Sequence, residues 1–319
     1  MKHQVPCPSG SSPSITPDVT AVGDNGDLLT PADHVWRATP ESRAKLRDRL
    51  MHVRTSGSPE SIHDLRRTLR EVRVALRIAQ IANTHNAKAI RALRRQLSNI
   101  SGSLGAVRDV DVQRDLLRQY SVRMPEERRM LRPLRRRLRN NRARAWHRSR
   151  GLLGKSHIDQ LVDSVASMMP TEAGFDDNAR SVAAVAIWDR YEAILDIRAD
   201  ATTSETRLHQ VRIRARQMRI LWAQYFTDSR RQDDVVGDTL RRFTTVLGEA
   251  HDVTVALETA NHITVHGRRK QDAVVRYAGA LVQARDTLLL RVSAEWAEIA
   301  RPEFRCLLAD GIGRPELSR

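Results

Sequence analysis

Residues 62–79 read IHDLRRTLREVRVALRIA and carry five arginines and one histidine. On an α-helix, at 100° per residue, His63, Arg66, Arg70, Arg73 and Arg77 fall within an arc of about 80°. Leu65, Leu69, Val72, Leu76 and Ala79 take the opposite side. A guanidinium is a planar fork of N–H donors that binds phosphate or carboxylate oxygens two at a time and stays charged when partly desolvated. A histidine among cations titrates low as a free group and can hand a proton to a bound phosphate. The stripe therefore points to binding of an extended anion along about 21 Å of helix. Like charges at i,i+4 cost a few tenths of a kcal/mol per pair, so such a helix calls for a partner that compensates.

The pattern occurs twice. HDLRRTLREVR (63–73) and HQVRIRARQMR (209–219) both place Arg at +3, +7 and +10 from the histidine. These are Arg66, Arg70 and Arg73 in the first copy, and Arg212, Arg216 and Arg219 in the second. A second matching element follows each: LGAVRDVDV (104–112) and LGEAHDVTV (247–255) share Leu, Gly, Asp and Val at corresponding places. The separations, 146 and 143 residues, are nearly equal. Two matches in the same order and spacing indicate an internal repeat, with halves at about 40–170 and 176–319. A pseudo-two-fold arrangement would set the His63 and His209 stripes across a shared groove.

Around these motifs the chain reads as all-α. Helical periodicity covers 40–54, 59–82, 85–100, 104–121, 126–150, 155–168, 176–199, 204–227, 231–247, 250–265 and 268–300, and β-branched alternation is scarce. Ser58-Pro59 reads as an N-cap followed by proline at the first helical position, and Pro125-Glu126 also opens a helix. Breaks are expected at SGS (101–103), GLLG (151–154) and PTEAGF (170–175). Residues 1–39, rich in Pro, Ser, Gly and Asp, read as a disordered tail that offers a place to recruit a partner.

Composition supports a polyanionic partner. The 319-residue chain carries a net charge of +16, and residues 41–150 alone carry +19, so the remainder sums to −3. Only five of its 54 basic residues are lysine. That ratio also follows from a genome that favours arginine codons, so placement carries the argument. Cys7 and Cys306 make neither a disulfide framework nor a metal cluster. With no apolar leader and no run of 18 apolar residues, the expectation is a soluble cytoplasmic protein without a membrane contact.

Inorganic polyphosphate, a flexible chain offering only phosphate oxygens, fits the duplicated stripe. Nucleic acid is the rival, since its phosphates attract the same side chains. Aromatic residues are 4% of the chain, few for stacking bases, and no helix-turn-helix, zinc-finger or RNP signature is present. Residues 128–150, with eleven arginines and Trp146, would track any polyanion, DNA included. Their Leu131, Leu134, Leu138 and Trp146 mark a partly buried helix, with Pro133 a candidate kink; the run reads either as a wall of the groove or as a solvated face. A remote third reading is an HD-type metal-dependent phosphohydrolase, from the doublets His63-Asp64 and His251-Asp252. The further ligands such a site needs are missing: His52 stands only 11 residues before His63, and His34 lies in the tail. Asp109, Asp111 and Asp252 suit helix capping or orientation of a neighbouring arginine better than metal ligation. No P-loop, dinucleotide loop, GxSxG, CxxC or HExxH is present, so no catalytic residue, metal or cofactor is expected.

HDLRRTLREVRVAL, LGAVRDVDV, LHQVRIRARQMRILW and LGEAHDV together resemble the CHAD family, the conserved histidine α-helical domain, from about residue 40 to 310. The resemblance implies an all-α fold of two four-helix-type halves related by pseudo-symmetry around a basic central cavity. It also implies polyphosphate binding and association with polyphosphate granules. Some relatives are fused to a CYTH triphosphate-tunnel enzyme; this sequence has no ExExK strand motif and resembles the stand-alone type, so the binding role carries over and the phosphatase role does not. The family's basic positions fall on His63, Arg66, Arg70, Arg73, Arg108, His209, Arg212, Arg216 and Arg219, and Arg77 extends the first stripe. The chain departs at Glu71 and Gln217, where the family often has a base, and at His251, the counterpart of Arg108. Glu71 is placed to pair with Arg67. A secondary affinity for nucleic acid in the same groove stays open, and the sequence sets no oligomeric state.

Overall fold

The computed structural model describes residues 39–82, 86–169, 177–197, 203–227 and 234–313. Among them the chain is all-α, with ten α-helices. They are α1 (Pro40–Ser56), α2 (Pro59–Ala82), α3 (Ala87–Arg123), α4 (Arg132–Gly151), α5 (Lys155–Met168), α6 (Asp177–Leu195), α7 (Glu205–Tyr225), α8 (Val235–Asn261), α9 (Arg268–Ala300) and α10 (Pro302–Gly313). The tail to residue 38 and the break expected at 170–175 lie outside the described residues.

Local chemistry sets the ends of the helices that matter. The Thr39 hydroxyl accepts from the Ser42 amide (3.2 Å) ahead of Pro40. The chain then reverses at Gly57, whose φ of 55° is the left-handed region that glycine adopts freely. A Cβ there would also lie 2.6 Å from Trp146 of α4, so the turn is close-packed as well. As the sequence predicts, Ser58 caps α2: its hydroxyl accepts from the Ser61 amide (3.1 Å). Asp234 does the same for α8 through the Gly237 amide (2.8 Å).

Three boundaries differ from the sequence reading. SGS (101–103) does not break the chain; the stretches 85–100 and 104–121 form one helix, α3. Leu97, Ile100, Leu104 and Val107 keep one buried row through it, and Ser103 bonds Ser149 of α4 (2.8 Å). Likewise α8 runs continuously through Gly248. Pro125-Glu126 opens only a 3-10 turn, Pro125–Glu127; α4 begins at Arg132, and Pro133 sits in its first turn. There a proline costs no hydrogen bond, so it starts the helix instead of kinking it.

Two hydrophobic clusters hold the helices. One gathers α1, α2, the first half of α3 and α5, with Ile62, Leu65, Leu69, Val72 and Leu76 of α2 fully buried. Each such side chain contributes about 1.5–3 kcal/mol. The other gathers α6 to α10 and also takes Leu117 of α3 with Leu131, Leu134 and Leu138. α2 and α3 pack together, as do α7 and α8; α2 also meets α7, and α3 meets α8. These four helices carry the repeated motifs.

Candidate functional site

Because the leucine row of α2 faces its cluster, His63, Arg66 and Arg70 are turned aside toward α7. Val211, Ala215 and Met218 of α7 are buried and play the same part, leaving His209, Arg212, Arg216 and Arg219 to turn toward α2. These seven side chains line one cavity of about 520 Å³ with Arg108 and Asp109 of α3 and Glu249, His251 and Asp252 of α8. Gly105 makes room on the α3 side: a Cβ there would stand 3.3 Å from the Arg66 guanidinium. The corresponding Gly248 faces open space.

The electrostatics are those of crowded cations set around three acids, Asp109, Glu249 and Asp252. Burial pushes the Arg66 guanidinium below its ordinary value, with Asp109 and Asp252 pulling it back and Arg212 and Arg108 opposing them. Arg212 is lowered by burial and supported by Asp252 and Asp109. Arg216 is the extreme: burial, then Arg70, Arg212, Arg219 and Arg66, push it down to about 8. A guanidinium resists deprotonation, so the group stays charged and bears the penalty as lost hydration and as repulsion from its neighbours, which an anion would relieve. Asp109 and Asp252 are both raised by loss of water, with the surrounding arginines pulling them back. His251 is pushed down to about 4 by burial and by Arg212, His209 and Arg216. Its ring lies 5.5 Å from that of His209, and it is neutral at pH 7. The Nε atoms of Arg66 and Arg212, the +3 arginines of the two motifs, are both buried without a hydrogen-bond partner. Unmet buried donors cost about 1–3 kcal/mol each, and phosphate oxygens would satisfy them.

A CHAD-domain family model matches residues 37–261. The chain belongs to the CHAD domain family. Two solved structures show the same fold. PptA from Streptomyces chartreusis aligns with a TM-score of 0.63 at 18% identity, covering 84% of this chain and 99% of its own. The CHAD domain from the plant Ricinus communis aligns with a TM-score of 0.54, also at 18% identity, covering 88% and 92%. No curated protein matches the chain.

Of the ten positions singled out in the sequence, this CHAD chain brings eight together: His63, Arg66, Arg70, Arg108, His209, Arg212, Arg216 and Arg219. Arg73 and Arg77 do not line the cavity. They continue along α2 toward Arg94 of α3, and Arg77 acts also on Arg190 of α6. Sequence reasoning missed Glu249, which lines the cavity and accepts from Arg291 of α9 (3.1 Å). Its place one residue after Gly248 was the available signal. Glu71 bonds Arg67 (3.3 Å), as the i,i+4 spacing predicts.

Asp111 belongs elsewhere: it is buried against Arg142 (2.6 Å) and Arg114 (3.2 Å), an orienting role of the kind expected. Among the described residues no group of His, Cys, Asp and Glu converges as metal ligands would, and no helix is long and apolar enough to cross a membrane. The arginine-rich run does not wall this cavity; it lines a separate groove.

Proposed function

We propose that this protein binds inorganic polyphosphate in the cavity between α2, α3, α7 and α8, as a binding protein and not as an enzyme. One observation carries the reading: the His/Arg stripes of two distant, repeated motifs meet in one cavity. Orphaned Arg66 and Arg212 Nε donors there point to a ligand rich in anionic oxygens. Membership of the CHAD family supports the same ligand, since the resemblance links that family to polyphosphate. Among the described residues the cavity lining contains no Phe, Tyr or Trp, so it offers phosphate contacts and no platform for stacking bases. A cytoplasmic protein associated with polyphosphate granules is the setting that follows from this role.

The test is a competition titration at about 0.15 M salt, where non-specific phosphate binding is already weakened. Labelled polyphosphate is displaced by unlabelled polyphosphate, single-stranded RNA or duplex DNA at equal phosphate concentration. Polyphosphate should compete best, and Arg66→Ala/Arg70→Ala should weaken binding at least tenfold while helicity is retained. Arg77→Ala, outside the cavity, should change affinity less than threefold. Equal competition by RNA or DNA, or a double variant that binds like wild type, would refute the assignment.

A further inference from the structure

A second groove, of about 1630 Å³, lies between the C-terminal half of α3, the first turns of α4 and the α8–α9 connection. Nine arginines and one lysine line it against two aspartates. Both acids are committed: Asp111 to Arg142 and Arg114, Asp115 to Arg118 (3.3 Å). Among the described residues no carboxylate pairs with Arg128, Arg132, Arg136, Arg137 or Arg139.

The walls are fixed by the fold. Leu131, Leu134 and Leu138 are buried, which anchors the near wall and turns the intervening arginines outward. On the far side Ile263 is buried, and the Val265 amide donates to Gln271 (3.3 Å). Arg135 is partly buried, with its Nε lacking a partner. Loss of water and the neighbouring Arg128 and Arg132 lower its basicity. Along α3 the residues of the two grooves differ: Gly105, Asp109 and Val112 face the first cavity, Asp115, Arg118 and Val122 the second. At 100° per residue these two sets stand about 110° apart, on different faces of the helix, so neither groove is a direct continuation of the other.

We infer that the α3/α4 groove is a second, independent binding site for a linear phosphate polymer. The inference rests on the proposed ligand of the first cavity, but not on that cavity's residues. Among the described residues its lining includes no Phe, Tyr or Trp, so it binds through the polymer's backbone oxygens and has no stacking surface for single-stranded bases. A concave slot suits a thin flexible chain, whereas duplex DNA is read by elements that protrude into its own grooves. A single chain with two sites on different faces of α3 can join two polymer strands.

The experiment titrates the full-length protein with a short linear polyphosphate by calorimetry at several salt concentrations. Three proteins are compared: wild type, Arg132→Gln/Arg136→Gln/Arg139→Gln, and Arg66→Gln/Arg70→Gln. Wild type should bind two equivalents, and each variant should weaken a different one at least tenfold. Removing three phosphate-contacting arginines should lower the salt slope of the affected site by about 2, at ~0.7 per contact. If the α4 variant matches wild type in equivalents and slope, the second site does not exist, whatever the α2 variant does. If the α2 variant alone matches wild type, the second site stands and the first assignment falls. If the α4 variant loses duplex-DNA binding but keeps both polyphosphate equivalents, the groove is a nucleic-acid surface and the inference is overturned. A measurement on wild type covers failure of the variant to fold: polyphosphate should protect Arg132, Arg136 and Arg139 from phenylglyoxal at least threefold, and equal modification with and without it would refute the site.

Discussion

Replacing Arg216 with methionine should stabilise the protein alone and weaken its hold on polyphosphate. Burial, then Arg70, Arg212, Arg219 and Arg66, push the guanidinium from its ordinary value down to about 8. At 1.36 kcal/mol per unit, that shift sets a ceiling of about 6 kcal/mol on the cost of keeping the charge. Both values lie above 7, so at neutral pH the group is charged folded and unfolded, and the whole penalty opposes folding. The cavity is open to solvent, and screening leaves about 2 kcal/mol to be recovered. Methionine keeps the apolar stem in place while removing the charge. For a chain of this size each kcal/mol moves Tm by about 2 °C, so Arg216→Met should melt about 4 °C higher without ligand. A charge-assisted hydrogen bond contributes about 1.5–3 kcal/mol, so affinity for polyphosphate should fall roughly 10- to 100-fold. Scanning fluorimetry with and without polyphosphate reads both signs at once. A variant that melts several degrees lower without ligand would mean that the acids at positions 109 and 252 more than offset the repulsion. An unchanged ligand-induced shift would place the phosphate away from Arg216.

Two more perturbations test other parts of the structure. His251 titrates at about 4 folded against an ordinary 6.5, so between those values the unfolded chain binds more protons and stability falls as the pH drops. His251→Gln, which still faces Arg212, His209, Arg216 and Asp252, should flatten urea-unfolding stability between pH 6.5 and 4 by about 2 kcal/mol. Parallel curves for the two proteins would show that His251 is not the group responsible. Gly57→Ala adds a Cβ at φ 55°, 2.6 Å from the Trp146 ring, and should cost about 3 kcal/mol in urea unfolding. A loss under about 1 kcal/mol would mean that the indole is not seated on that turn.

The repeat was the most legible feature of the sequence. A shared register of His, Arg, Leu and Gly over two distant segments selected the helices α2, α3, α7 and α8 whose side chains meet. What periodicity could not show is where a stripe leaves the shared surface. Arg73 and Arg77 hold nearly the same angular phase as Arg66, but they lie further along α2, where they act on Arg94 of α3 and, for Arg77, on Arg190 of α6 instead of lining the cavity. Helix breaks were misplaced for a related reason. Ser101 and Gly102 favour a turn by local propensity, yet the buried row from Leu97 to Val107 continues through them, and packing overrides propensity. The last helix, α10, falls after residue 300, where the helical periodicity read in the sequence ends. In the fold Pro302 begins this helix, whose Phe304 and Leu308 are buried while Gly311 passes close to the Trp222 ring.

The arginine-rich run shows the same limit with a larger consequence. Its leucines at 131, 134 and 138 announce one buried face, and a one-dimensional pattern cannot name the neighbour that face meets. They pack into the second hydrophobic cluster and not the first. That places the run's arginines on the far side of α3, away from Arg66 and Arg108. The two basic surfaces also differ in kind. In the cavity, Asp109 and Asp252 offset part of the repulsion on Arg66 and Arg212, so these arginines are held in position by their own acids. In the α3/α4 groove the acids are taken up by Arg142, Arg114 and Arg118, and the outer arginines are left to solvent. A preorganised cavity favours a ligand that fits its donors, whereas an open arginine wall responds mainly to charge density and salt. The second groove should therefore be the more salt-sensitive of the two, and the cavity the more selective.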